Sequence, residues 1–151
     1  MDLLYTPSFH FIVYFEFGGT KYFPSGTDVQ FQEVSGLTVD LEMETYNEGG
    51  ENRFVHKLPV QTTYSDVTLK RAVTKASSVV KWCKDALESF EFHPIPVNII
   101  LLNELHIPVT RWTLVNAIPQ HWEMSSLNAE ANELLIENLV LSYQFFTHES
   151  L

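Results

Sequence analysis

Residues 31–54, FQEVSGLTVDLEMETYNEGGENRF, alternate through their middle. Val39, Leu41 and Met43 share one parity, and Asp40, Glu42 and Glu44 share the other. A strand has period two, so the spacing predicts a strand with three carboxylates on one face and three apolar side chains on the other. The apolar set is expected to pack on the chain's own core, which leaves the acids on a wet surface. NEGGEN, residues 47–52, reads as a polar turn, and a second strand is expected over residues 53–58, stopped by Pro59.

The same period extends outward in both directions. Upstream, Phe9, Phe11, Val13, Phe15 and Phe17 alternate with His10, Ile12, Tyr14 and Glu16, a strand with an aromatic core face. GGTKYFPSGTDVQ, residues 18–30, is a Gly/Pro/Ser-rich connection. Downstream, residues 64–74, YSDVTLKRAVT, place Val67, Leu69 and Arg71 on one parity. VNIILLNE (97–104), VTRWTLVNA (109–117) and ANELLIENLVLSYQFF (131–146) also read as strands. VNIILL has no polar face and is expected to be covered on both sides. Residues 118–133 read as a turn-rich connection.

One segment breaks the period. ASSVVKWCKDALESF, residues 76–90, has apolar side chains at Val79, Val80, Cys83, Ala86, Leu87 and Phe90. Steps of three and four predict an amphipathic helix, with Phe90 among the residues packed on the sheets. Thr74 or Ser77 supplies the N-cap oxygen, and Pro94 and Pro96 prevent continuation. The pattern predicts one mainly β domain over residues 1–151, a barrel or sandwich with one flanking α-helix.

Composition narrows the function. The formal net charge is −10, and after Lys84 the only basic residue is Arg111. That balance argues against nucleic-acid binding and against an anionic membrane surface. Cys83 is the only cysteine, so no intrachain disulfide is expected. No basic n-region precedes an apolar stretch at the N-terminus, and no apolar run is long enough to span a membrane, so a cytoplasmic, soluble product is expected.

Sites of chemistry are weak. Ser78 and Lys81 match Ser-x-x-Lys, but the accompanying S-D-N and K-T-G motifs do not occur. Glu42 and Glu44 lie two apart on a strand, yet a row of acids reads as a solvated face rather than an acid/base pair. The histidines (His10, His56, His93, His106, His121, His148) show no metal-binding spacing. Gly49-Gly50 lacks the spacing of a phosphate cradle. Cys83 falls on the apolar helix face, as a packed thiol would. No catalytic, cofactor or metal residue is assigned, and a structural or binding protein is expected. A monomeric ligand-binding barrel is the alternative from a different class.

Several motifs in order resemble the phage tail tube protein family: FQEVSGL (31–37), the acidic strand, YNEGGEN (46–52), KLP (57–59) and YSDVTLKR (64–71). The second half agrees, with WTLVNAIPQHW (112–122) and LNAEANELLIENLVLSY (127–143). Ala72 and Ile118 depart from the family's usual residues, and the 18–30 connection is longer than in many main tube subunits. The resemblance is to tubes of contractile phage-tail-like injection systems. It implies hexameric rings stacked into an inner tube, a surrounding contractile sheath, baseplate and spike partners, and effector cargo or DNA in the channel. It implies no enzymatic activity, no cofactor and no membrane insertion by this subunit, with assembly in the cytoplasm and work in a released or anchored particle. Main tube subunit, tube initiator and type VI secretion-like ring remain alternatives. In such a tube, Asp40, Glu42 and Glu44 are expected to line the channel. Tyr46, Asn47, Glu48, Gly49, Gly50, Glu51, Asn52, Arg53 and Lys57 are expected to reach the adjacent ring.

Overall fold

The structure, a computed structural model, describes residues 11–18, 30–50, 52–73, 77–130 and 132–151. Phe9, His10, most of the 18–30 connection, Glu51, Thr74 and the first residue of the expected helix lie outside these. Among the described residues there are nine strands and one helix. They are β1 (Phe11–Phe15), β2 (Glu33–Ser35), β3 (Val39–Tyr46), β4 (His56–Tyr64), β5 (Val67–Ala72), α1 (Ser78–Leu87), β6 (Ile95–Leu102), β7 (Pro108–Met124), β8 (Ile136–Ser142) and β9 (Phe145–Ser150).

The body is built on one long bent hairpin. β7 pairs antiparallel with β9 through its first half, from Thr110↔Ser150 to Val115↔Phe145. Its second half pairs with β8, from Ile118↔Ser142 to Met124↔Glu137. The bend coincides with Asn116 at φ 52° and with Tyr143–Gln144 on the opposite side. β6 and β1 extend the first half, and β5 and β2 extend the second. All pairings are antiparallel.

Alternation decides what is buried. Val67, Leu69 and Arg71 of β5 all point inward, as their shared parity predicts. So do Val13 and Phe15 of β1, joined by Phe17. Ile95, Val97 and Ile99 of β6 are buried, while Ile100, Leu101 and Leu102 are half-buried. Asn98, on the other face, is also buried; it donates to Glu16 at 2.8 Å and accepts from Thr113 at 2.8 Å.

The expected helix is shorter at both ends. Ser77 is the N-cap, accepting from the Val80 amide, and the helix stops at Leu87. Trp82, Cys83, Val79 and Ala86 are buried, with Trp82 edge-on to Phe15 and Phe17 at 5.8 and 6.0 Å. Phe90 does not pack on the sheets: it is 83% exposed. Its helical spacing is irrelevant because the chain has already left the helix, with Phe90 at φ 55°.

The turn-rich reading of residues 118–124 also fails, because this stretch is the second half of β7. Pro119 suggests a break, but it sits buried beside a register shift between Pro119 and His121, where no ladder N–H is required. β9 is a separate strand past the bend. β4 runs through Pro59 for the same reason as β7 runs through Pro119. The hairpin register slips between Glu42 and Met43, leaving Val60 unpaired beside Pro59.

Candidate functional site

β3 and β4 form a two-stranded sheet of their own. This arm leaves the body at one end and is exposed along the whole of β3. Directly opposed residues share a face, so Asp40, Glu42, Glu44 and Tyr46 stand with Thr63, Gln61, Leu58 and His56. Gln61 donates to Glu42 at 3.0 Å. The bulge at Val60 puts Leu58, rather than Pro59, beside Glu44. The carboxylates thus line one face as the alternation predicts, and the face turns apolar and aromatic toward the tip.

The opposite face corrects the expected packing. Val39, Leu41 and Met43 are 48%, 52% and 46% exposed, so they do not face the subunit's own core. The body's interior is filled by β1, β5–β8 and α1, which leaves the arm no layer to pack on. Three large apolar residues in a row on one uncovered face of this two-stranded sheet form an exposed apolar patch.

At the tip, Gly50 takes φ 95°, the conformation a tight reversal needs and a side chain resists. His56 pairs with Glu48 at 2.9 Å and lies against Phe54 at 5.0 Å between ring centroids. Asn47, Gly49, Asn52, Arg53 and Lys57 are exposed around it. At the root, Tyr64 stacks edge-on against Tyr143 and Phe146, at 6.2 and 5.0 Å. The Tyr143 hydroxyl donates to the Ser65 carbonyl at 2.6 Å, and the Ser65 amide donates to the Thr38 carbonyl at 3.2 Å. Gly36 closes the root at φ 93°. Nothing in the sequence marked these root contacts, because their partners lie far apart along the chain.

Beneath the body's second half lies a buried ion pair that parity alone did not reveal. The Arg71 guanidinium donates to Glu137 and, at 2.6 Å, to Ser77 Oγ. Trp122 Nε1 donates to the other Glu137 oxygen at 3.1 Å, and Phe31 lies under the guanidinium at 5.0 Å. Arg71 and Glu137 are 2% and 3% exposed. Ser77 therefore serves both the helix and the sheet.

Cys83 is buried nearby. Burial pushes its thiol up to about 12, Glu137's charge adds to that, and Arg71 opposes it. The Tyr143 phenol is likewise pushed up to about 12, by burial first and then by Asp66 and Tyr64. Both groups are held in their protonated forms, so their contribution to stability is complete below the unfolded values near 9 and 10. It is lost as pH rises toward 12, because the unfolded chain ionises first. The melting temperature is expected to fall through that window. Cys83→Ala and Tyr143→Phe should each flatten the fall in pH-resolved calorimetry, and an unchanged slope would contradict the assignment.

Among the described residues no group of three or more His, Cys, Asp or Glu is placed to hold a metal. Ser78 and Lys81 lie in the first turn of α1, with Lys81 exposed. A cleft of about 370 Å³ lies in the β7–β8 loop between Ser125–Asn128 and Glu133–Leu135, and a void of about 10 Å³ borders Arg71. Neither is the apolar internal cavity that a ligand-carrying barrel uses. No helix among the described residues is long and apolar enough to cross a membrane.

A bent antiparallel body with one helix and a free-standing hairpin arm defines the phage-tail tube class. The chain belongs to the tail tube family: the model for T4-like virus tail tube protein gp19 matches residues 7–147. None of the curated proteins matches it. Among solved structures, a chain of the anti-feeding prophage (AFP) baseplate is 35% identical, with TM-score 0.87 and coverage of 99% of this chain and 98% of that one. A chain of the AFP tube-terminating cap is 23% identical, with TM-score 0.80 and coverage of 100% and 95%. A chain of the PVC sheath–tube complex, an extracellular contractile injection system in its extended state, is 20% identical, with TM-score 0.79 and coverage of 98% and 93%.

Proposed function

We propose that this protein is the tube initiator of a contractile injection particle, a hexameric ring that joins the baseplate to the inner tube. The observation that carries the reading is the contrast in identity: 35% to a baseplate chain against 20% and 23% to chains from the sheath–tube complex and the cap. The long 18–30 connection fits a subunit specialised for one position. The role is mechanical and conductive, with no reaction to catalyse. Copy number tests it. Quantitative mass spectrometry of purified particles should find one ring of this chain per particle, whatever the tube length. A copy number that scales with tube length would make it the main tube subunit.

Within such a ring, the arm's apolar face of Val39, Leu41 and Met43 is covered by neighbouring copies, and Asp40, Glu42 and Glu44 line the channel. A charged wall stays hydrated, whereas an apolar one would cling to passing polypeptide. The tip around Glu48–Lys57 reaches the next ring or the baseplate hub, with sheath outside and effector cargo inside. Single cysteines at positions 40, 42 and 44 test the channel face. Cys83 can remain, since it is buried and protonated. A thiol reagent too large for the channel should label dissociated subunits and spare assembled particles. Rapid labelling of intact particles would place the acids outside.

A further inference from the structure

We propose that the cleft in the β7–β8 loop is a slot for one arginine side chain of a different protein, its aliphatic stem lying between Leu127 and Leu134 and its guanidinium meeting Glu133. The cleft has a volume of about 370 Å³ and lies between residues 125–128 on the β7 side and 133–135 on the β8 side. Leu127 and Leu134 line it and are still 83% and 72% exposed. Ser126, Asn128 and Glu133 supply the polar part of the lining. Both limbs are held. At the neck the Ser125 amide donates to the Ile136 carbonyl at 2.8 Å, and Ser125 Oγ accepts from the Ile136 amide at 3.1 Å. Asn128 Oδ1 accepts from the Glu130 amide at 3.0 Å. The Val73 amide donates to the Leu135 carbonyl at 2.9 Å, which ties the second limb to the end of β5. A slot already held open loses little freedom when it is filled.

The lining selects the occupant. A purely apolar side chain would cover the leucines but strip water from Glu133 and return nothing. An acidic one would be repelled by Glu130 and Glu133, both exposed. A long cationic side chain satisfies both parts, with its methylenes on the leucines and its charge on the carboxylate. No cation of this chain already fills that role. Among the described residues Glu133 has no ion-pair partner. No Lys or Arg occurs after Arg111, and on β5 Lys70 and Arg71 are paired with Glu33 and Glu137. Arginine fits better than lysine. Its planar, weakly hydrated guanidinium takes a carboxylate through two hydrogen bonds, and protein interfaces are enriched in Arg and depleted in Lys. This chain's own arginines are engaged: Arg71 with Glu137, Arg111 with Glu149, and Arg53 with contacts of its own. What a second copy offers is lysine, since Lys57, Lys81 and Lys84 are exposed. The arginine therefore comes from another kind of protein. This does not depend on the initiator reading.

The test begins with p-benzoylphenylalanine at position 134, photoactivated in cells that make the natural partners. The expected product is one discrete adduct to a different protein, mapped to a peptide that contains arginine. Leu127→Ala, Leu134→Ala and Glu133→Gln change exposed positions, so each variant should melt with the parent. Glu133→Gln should bind the captured protein about 10-fold more weakly and with a flatter salt dependence. Leu127→Ala with Leu134→Ala should weaken binding and leave the salt dependence unchanged. Lysine in place of the captured arginine should also weaken binding, and Glu133→Arg should rescue a glutamate placed there. Adducts only to copies of this chain, no discrete adduct, or an adduct peptide without arginine would each overturn the proposal. Full affinity of Glu133→Gln would do the same. A main-tube copy number in the particle would sink the initiator reading and leave this one standing.

Discussion

Replacing Arg71 with alanine is expected to destabilise the fold by about 3–5 kcal/mol, enough to consume much of a small domain's stability. The side chain is buried among four elements of the structure: Glu137 on β8, Ser77 at the N-cap of α1, Phe31 before β2 and, through Glu137, Trp122 on β7. Removing the guanidinium leaves the Glu137 carboxylate buried without its countercharge, a cost well above that of a lost contact. A paired replacement isolates this cause. Arg71→Met with Glu137→Leu removes both charges together and should recover most of the loss, since apolar pairs of similar volume substitute well for buried ion pairs. Urea melts of the two single variants and the double variant provide the cycle. An Arg71→Ala protein that unfolds with the parent, or a double variant no better than the singles, would show that the pair does not organise this core.

Inward placement of Arg71 follows from its parity with Val67 and Leu69; its partner does not. In IENLVLS, Glu137, Leu139 and Leu141 are buried while Asn138 and Val140 are only half-buried. A glutamate on the buried parity invites rejection of that register unless its cation is already known, and the two residues lie 66 positions apart. The helix shows the converse error. Phe90 continues the helical spacing, but periodicity registers residue type and not the point at which the backbone turns left-handed. Pro59, read as the end of its strand, misled for a third reason. Pro59 and Pro119 sit at register slips, where the missing N–H costs the ladder nothing, and a slip depends on the partner strand. Local signals found nearly every strand; contacts between distant segments determined which faces met.

The arm shows the same limit with a functional consequence. Its alternation is legible, and the acids do share a face. The assumption that an apolar face belongs to its own subunit's core failed, because Val39, Leu41 and Met43 have no intramolecular layer to meet. Their exposure makes the arm's direction important, because nothing in the body's core holds this face in place. That direction is set at the root.

Gly36→Ala is therefore expected to disable the arm. At φ 93° a side chain is strained, at a cost on the order of 1–3 kcal/mol. An added Cβ would also lie 2.2 Å from the Asp66 carbonyl oxygen. That oxygen is backbone, at the start of β5, so no rotamer change clears it, and the total cost should exceed strain alone. The root must open, which pulls the Ser65–Thr38 and Tyr143–Ser65 hydrogen bonds apart and unstacks Tyr64 from Tyr143 and Phe146. The body has its own core around Trp82 and should survive with a lower melting temperature. Limited proteolysis should then cut between β3 and β4 faster than in the parent, while Trp82 fluorescence still reports a buried indole. Tyr143→Phe keeps the ring and loses one hydrogen bond, so its effect should be near 1 kcal/mol. If the Gly36→Ala arm resists protease as the parent's does, the root does not hold the arm.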